Sequence, residues 1–140
     1  HCALLDLAPE LTRGIGGKMD LAWHERLTVY SPRMVAPRLT GKTAQEVLEL
    51  AKANGAACDR IFAEYLDDPR PCLFINDISL YLQAREVEGL AALWRVAPTV
   101  VANGYFGRAL GGGGFGAAER ARMEELQGLC DRVINLPMNS

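Results

Sequence analysis

The sequence has no excess of positive charge and no long hydrophobic run, and each absence excludes a class of function. It carries 15 Lys and Arg against 17 Asp and Glu, for a formal net charge of -2. Because no basic field results, nucleic-acid binding is not predicted. No apolar run approaches the roughly 20 residues that cross a bilayer. We expect no membrane partner, and a cytoplasmic location.

Metal-binding and disulfide signatures are also missing. The four cysteines lie far apart without a C-x-x-C pair, and there are only two histidines. This spacing fits neither a zinc site nor a disulfide framework. Since each cysteine has apolar neighbours, we predict four buried, reduced thiols, as expected in a reducing compartment.

The length and composition predict one domain over residues 1–140. The chain has 140 residues, of which 49% are hydrophobic, enough for one core. It begins with His1 and enters an apolar segment at Cys2. An N-terminal truncation of the natural protein is therefore left open.

The run from Pro71 to Leu82 is the anchor of the predicted fold. Its apolar residues up to Ile78 are typical of a strand buried on both faces, and it delivers Asn76 and Asp77 at its end. Other strands and helices alternate with it, which predicts right-handed crossovers in an α/β fold with three layers: a mostly parallel sheet with helices on both faces. The predicted strands are 2–9, 27–30, 72–78, 99–103 and 132–136. Three helices are predicted: one that starts at Thr43, one over about 83–94 and one over about 117–129.

Ligands of open parallel sheets bind beyond the carboxyl ends of the strands. The polar residues expected there are Asp6, Asp77 with Ser79, and Asn103. Asp77 ends an apolar strand, as the acid that orients Mg²⁺ does in nucleotide hydrolases, which makes it our candidate catalytic and metal-linked residue. Alternatively, Asp77 caps the following helix or supports a turn.

A second candidate site lies at residues 36–43, which fit the loose phosphate-loop pattern [AG]-x-x-x-x-G-K-[ST]. In that interpretation Gly41 and the helix start cradle phosphates, Lys42 meets the outer phosphates and the Thr43 hydroxyl binds Mg²⁺. The same residues also fit a capping box, in which Thr43 accepts a hydrogen bond from the amide of Glu46. Two other glycine-rich segments, 14–18 and 111–116, fit either phosphate cradles or plain flexible loops.

Three segments carry a family resemblance: Ala3-Leu-Leu-Asp-Leu-Ala-Pro9, Phe74-Ile-Asn-Asp77 and Val100-Val-Ala-Asn-Gly104. They resemble strands of P-loop ATPases of the partition and metallocentre-maturation type, or of the related cobalamin adenosyltransferases. The resemblance implies a metal-linked role for Asp77 and a base contact for Asn103. In that family G-K-G-G-x-G-K-[ST] precedes the equivalent of residues 3–9, and here the usual motif is missing or degenerate.

The leading hypothesis is binding of ATP or another nucleotide with Mg²⁺, followed by hydrolysis or nucleotide-dependent transfer. The alternative is a nucleotide-free α/β interaction domain that binds a protein partner or a second copy of itself. Whether the chain is an enzyme, and on which substrate, is left open by the sequence.

Overall fold

Four parallel strands form the central sheet. The computed structural model describes residues 1–10, 17–21, 24–106 and 114–137. The strands are β1 (Cys2–Asp6), β2 (Leu27–Tyr30), β3 (Cys72–Asn76) and β4 (Thr99–Ala102), in the order β2-β1-β3-β4, and each neighbouring pair is parallel. The predicted α/β class is confirmed, and β3 is an interior strand as predicted.

One face of the sheet, which we call the closed face, packs against helices. Side chains alternate between the two faces of a strand, and the register places Ala3 beside Leu73 and Leu5 beside Ile75. These four side chains are at most 2% exposed and belong to the hydrophobic core.

The opposite face, which we call the open face, is apolar as well. Val29, Leu4, Phe74 and Val101 form one row across all four strands. Leu4 is buried, whereas Val29 is 46%, Phe74 39% and Val101 53% exposed. The described residues therefore cover this row only in part.

Five helices occur in the described residues, and their contacts connect them: α1 with α2, α2 with α3 and α4, and α3 with α5. The longest begins after Thr43, as predicted, and runs through Gly55 without a break. The helices are α1 (Pro37–Thr40), α2 (Ala44–Asp67), α3 (Ser79–Leu82), α4 (Glu88–Val96) and α5 (Gly114–Gln127).

Helix α2 supplies much of the core against the closed face. Cys58, Phe62 and Tyr65 are buried there, and the Tyr65 hydroxyl donates to the carbonyl oxygen of Arg70 at 2.7 Å. Burial raises the pKa of the Cys58 thiol to about 12, so it stays protonated and unreactive. All four cysteines are free thiols, although Cys2, Cys72 and Cys130 are only partly buried rather than buried as predicted.

The start predicted for the helix over about 83–94 is wrong. Helix α3 begins earlier, at Ser79, and α4 begins only at Glu88. At the break Arg85 pairs with Asp59 at 2.9 Å and Glu86 with Arg122 at 2.8 Å, so ion pairs to other helices hold the turn.

The strand predicted at 132–136 is also wrong. The structure has no regular element there, and residues 131–137 are exposed. The β-branched Val133 and Ile134 suggested a strand, but a strand preference depends on a neighbouring strand and on burial, and both are missing at this position.

The sequence predicted helices on both faces of the sheet. Among the described residues, helices pack against the closed face, and a second helical layer on the open face stays a prediction. Within the described parts of the chain, no helix has the length and apolar character needed to cross a membrane.

Candidate functional site

The carboxyl edge of the sheet gathers the polar residues that end its strands. Strand β1 ends at Asp6, β3 at Asn76 before Asp77, and β4 just before Asn103. The chain leaves β1 toward β2 and leaves β3 in the opposite direction, toward β4. Adjacent strands with opposite connections mark the topological switch point, where open α/β sheets bind their ligands.

Asp6 forms hydrogen bonds with two other segments at this edge. Its Oδ1 accepts a hydrogen bond from Asn76 Nδ2 at 2.9 Å, and its Oδ2 accepts one from the Met19 amide at 2.9 Å. The residue is only 3% exposed. Because both oxygens have protein donors, Asp6 organises the edge rather than presenting a free carboxylate.

Lys18 brings a cation to the same place. Its Nζ donates to the carbonyl oxygens of Asp6 at 2.7 Å and Pro32 at 2.8 Å. Partial burial lowers the pKa of the Lys18 ammonium, and the negative charges of Asp6 and Asp77 partly offset this. The sequence had suggested Lys18 only as part of the glycine loop 14–18, of which residues 14–16 lie outside the described residues.

Asp77 has a special backbone conformation. Its φ is 63°, in the left-handed region, where Asp and Asn are tolerated better than most residues. The Ser79 hydroxyl donates to Asp77 Oδ1, and the Tyr105 amide donates to Ser79 Oγ at 3.1 Å. Burial raises the pKa of the Asp77 carboxyl, and the hydrogen bonds from Ser79 oppose that rise.

The structure brings Asn103 into direct contact with Asp77. Asn103 Oδ1 accepts from the Asp77 amide at 2.8 Å, and Asn103 Nδ2 donates to Asn76 Oδ1 at 3.1 Å. Together with the bond between Asn76 and Asp6, this makes a chain of polar contacts across three strands. Asn76 was not among the site residues expected from the sequence, and the register between β1 and β3 places it directly beside Asp6.

Thr43 and Glu46 form a variant of the capping box at the start of α2, in which Glu46 accepts from Lys42, the residue before the N-cap. The Lys42 amide donates to Glu46 Oε2 at 2.6 Å, and the Glu46 amide donates to Thr43 Oγ1 at 3.1 Å. A Cβ on Gly41 would lie 2.7 Å from Val47 Cγ2, so this position needs glycine for close packing. The hydrogen bond from the Glu46 amide to Thr43, expected if this segment caps α2, is therefore present.

The amides that would cradle a phosphate at residues 36–43 already have acceptors. Those of Leu39 and Thr40 donate to the Ala36 carbonyl at 3.1 and 3.0 Å, and that of Gly41 to the Pro37 carbonyl at 2.8 Å. No contact described in the structure joins Lys42 or Thr43 to Asp77. Nucleotide binding by Gly41, Lys42 and Thr43, and metal binding by Thr43, stay predictions.

An ion pair joins α1 to α5 close to Tyr105. Arg38 Nη2 lies 2.6 Å from Glu119 Oε2, and Glu119 is largely buried. Desolvation raises the pKa of the Glu119 carboxyl despite the opposing charge of Arg38. The two residues are 81 positions apart, and no sequence pattern indicated their pairing.

Below the polar edge, the open face forms a depression of about 310 Å³. Apolar side chains such as Met19, Leu21 and Phe74 line it, and Asn76 and Asn103 lie at its polar end. This mixture of apolar walls and a few polar groups is typical of small-molecule pockets.

The oxygen-rich edge fits a magnesium site that the protein completes only in part. Among the described residues, no group of three or more His, Cys, Asp or Glu side chains could hold a metal ion. Mg²⁺ commonly takes one or two carboxylates and completes its shell with phosphates and water. Asp77, with the Ser79 hydroxyl beside it, fits that role.

Comparison with protein-family models, curated proteins and solved structures gives no significant match for this chain.

Proposed function

We propose that this domain binds a nucleotide with Mg²⁺ at the carboxyl edge between β1 and β3, in the manner of a P-loop NTPase. The observation that carries the proposal is the convergence of Asp6, Asn76, Asp77 and Asn103 at the switch point of a parallel sheet. Strand ends at that position are where α/β sheets meet their ligands.

Asp77 has the metal-linked and catalytic role in this proposal. Its carboxylate would hold Mg²⁺, directly or through water, and the ion would supply positive charge to the phosphates of the nucleotide. Lys18 adds positive charge next to Asp6 and Asp77. The base contact that the resemblance implies for Asn103 stays a separate prediction, because its carboxamide already bonds to Asn76 and to the Asp77 amide.

The reaction that we propose is hydrolysis of the nucleotide or transfer of one of its groups to another molecule. The proposal includes a second helical layer over the open face, because all-parallel sheets occur almost only with both faces covered. A cytoplasmic location agrees with the four free thiols.

Titration calorimetry with Mg-ATP tests the site. Wild-type protein should bind, and Asp77→Ala should lose the part of the affinity that depends on Mg²⁺. Absence of binding by the wild type would refute the proposal.

The Lys42 prediction is tested in the same titration. Lys42→Ala abolishes binding if residues 41–43 hold the phosphates and leaves it unchanged if they only cap α2. Lys52→Ala, which removes an exposed lysine later in α2, is the matched control.

The second candidate function is a nucleotide-free interaction domain, which the exposed apolar row of the open face favours. A thermal shift separates the two, since a ligand at 100 times its dissociation constant stabilises a fold by about 2.7 kcal/mol. No shift with Mg-ATP would favour the interaction domain.

A further inference from the structure

The left-handed backbone conformation of Asp77 must be stabilised by neighbouring groups. Among the described residues it is the non-glycine residue with positive φ, at 63°. Aspartate tolerates this region better than most residues, yet a left-handed backbone persists only where the surroundings favour it. The hold must come from groups that contact the segment around Asp77.

Asn103 contacts four consecutive residues of that segment. Its main chain donates to the Ile75 carbonyl at 3.1 Å and accepts from the Ile78 amide at 2.9 Å. Its side chain donates to Asn76 Oδ1 at 3.1 Å and accepts from the Asp77 amide at 2.8 Å. The residue that follows β4 thereby contacts the whole turn that leads from β3 into α3.

The two side-chain bonds require a carboxamide of this length. One planar group must present an acceptor to the Asp77 amide and a donor to the Asn76 oxygen. Aspartate keeps the acceptor and loses the donor, and leucine keeps the size and loses both. The main-chain bonds of residue 103 are independent of its side chain and survive either change.

We propose that Asn103 is a positioning residue, whose carboxamide holds the Asp77 peptide in its left-handed conformation and so aims the Asp77 carboxylate at the magnesium ion. The inference has two parts, and the second, the direction of the Asp77 carboxylate toward magnesium (the magnesium half), rests on the proposed function. The hold on the Asp77 peptide does not, and it can be measured without any ligand.

Amide hydrogen exchange tests the hold. In wild-type protein the Asp77 amide should be protected, in Asn103→Leu it should exchange faster, and in Asn103→Asp, which keeps the acceptor, protection should return. Asn135→Leu is the matched control, because Asn135 is exposed. If Asn103→Leu does not fold, Asn103→Ser removes the reach of the side chain with less apolar surface. Unchanged protection of Asp77 in the folded variant would overturn the inference.

Magnesium dependence tests the aim of the carboxylate. Binding of a fluorescent ATP analogue is measured with Mg²⁺ and with EDTA. Loss of a residue that supports a metal ligand costs about 10- to 100-fold in metal affinity, so Asn103→Leu should lose about that factor with Mg²⁺. Without Mg²⁺, and in Asn135→Leu, the change should stay within about twofold, as for surface substitutions.

The outcomes separate the two hypotheses. Equal losses with and without Mg²⁺ would mean that Asn103 contacts the nucleotide rather than positions Asp77, and would overturn the positioning role. No binding by wild-type protein would refute the proposed function and the magnesium half together, while the exchange data still decide whether Asn103 holds the Asp77 peptide.

Discussion

The two faces of the sheet have similar sequences and different surroundings. On β3, Ile75 of the closed face is 2% exposed, and its neighbour Phe74 of the open face is 39% exposed. Both are large and apolar, and the same holds for β4, where Val100 packs against the core and Val101 is exposed. An apolar run thus indicates a strand that can be buried on both faces, but does not show what covers each face.

Crossover handedness explains which face is closed. The connections from β2 to β3 and from β3 to β4 progress in the same direction across the sheet. Because such crossovers are right-handed, their helices lie on the same face. The connection from β1 to β2 runs the other way, and two of its described residues, Met19 and Leu21, line the depression of the open face.

The largest expected effect is at the centre of the closed face. Ile75→Ala should lower the free energy of unfolding by about 2–5 kcal/mol, because it removes a buried aliphatic side chain and leaves a cavity. Urea unfolding followed by circular dichroism measures the loss. A loss below about 1 kcal/mol would mean that the closed face is less tightly packed than the structure shows.

The neighbouring residue gives the matched measurement on the open face. Phe74→Ala should cost about 1–2 kcal/mol, because the ring loses contact area but leaves no enclosed cavity. The larger side chain is thus expected to have the smaller effect. A cost above that of Ile75→Ala would show that the open face is covered in solution.

The next prediction concerns the cap of α2, the helix that packs against the closed face. Thr43→Ala should cost about 0.5–2 kcal/mol, the usual range for removing a helix cap, because the Glu46 amide loses its acceptor. Thr40→Ala is the control, since Thr40 is exposed at the end of α1. Equal stability of both variants and the wild type would argue against the capping box.

The sequence predicted the positions of strand ends better than their contacts. Asp6, Asp77 and Asn103 were expected at the carboxyl edge because apolar runs stop beside them. The bond between Asn103 and the Asp77 amide joins residues that are 26 positions apart, and no local pattern indicates it.

Residues 36–43 show a different limit. A phosphate loop and a capping box both place a threonine at a helix start, so Thr43 fits both: Gly41-Lys42-Thr43 completes the loop pattern and Thr43-Ala-Gln-Glu46 completes the box. Only the partners of the Lys42 and Glu46 amides show that a capping box is formed. The break between α3 and α4 was missed for a related reason, since it is held by ion pairs to Asp59 and Arg122, which are distant in sequence.

The smallest expected effect is that of Val101→Thr on β4, and the same change at the adjacent Val100 serves as its comparison. Val101→Thr should change stability by no more than about 0.5 kcal/mol, as at other exposed sites. Val100→Thr places a hydroxyl against the core, and burying such a group without a partner costs about 1–3 kcal/mol. Both residues lie in one strand and both favour strands before and after the change, so the difference between the variants isolates the surroundings of each face.

Equal costs at the two positions would mean that the open face is as well covered as the closed face, by a second helical layer or by a partner. Repeating the pair of measurements at several protein concentrations distinguishes these, because cover by a second copy of the chain would make the cost of Val101→Thr rise with concentration.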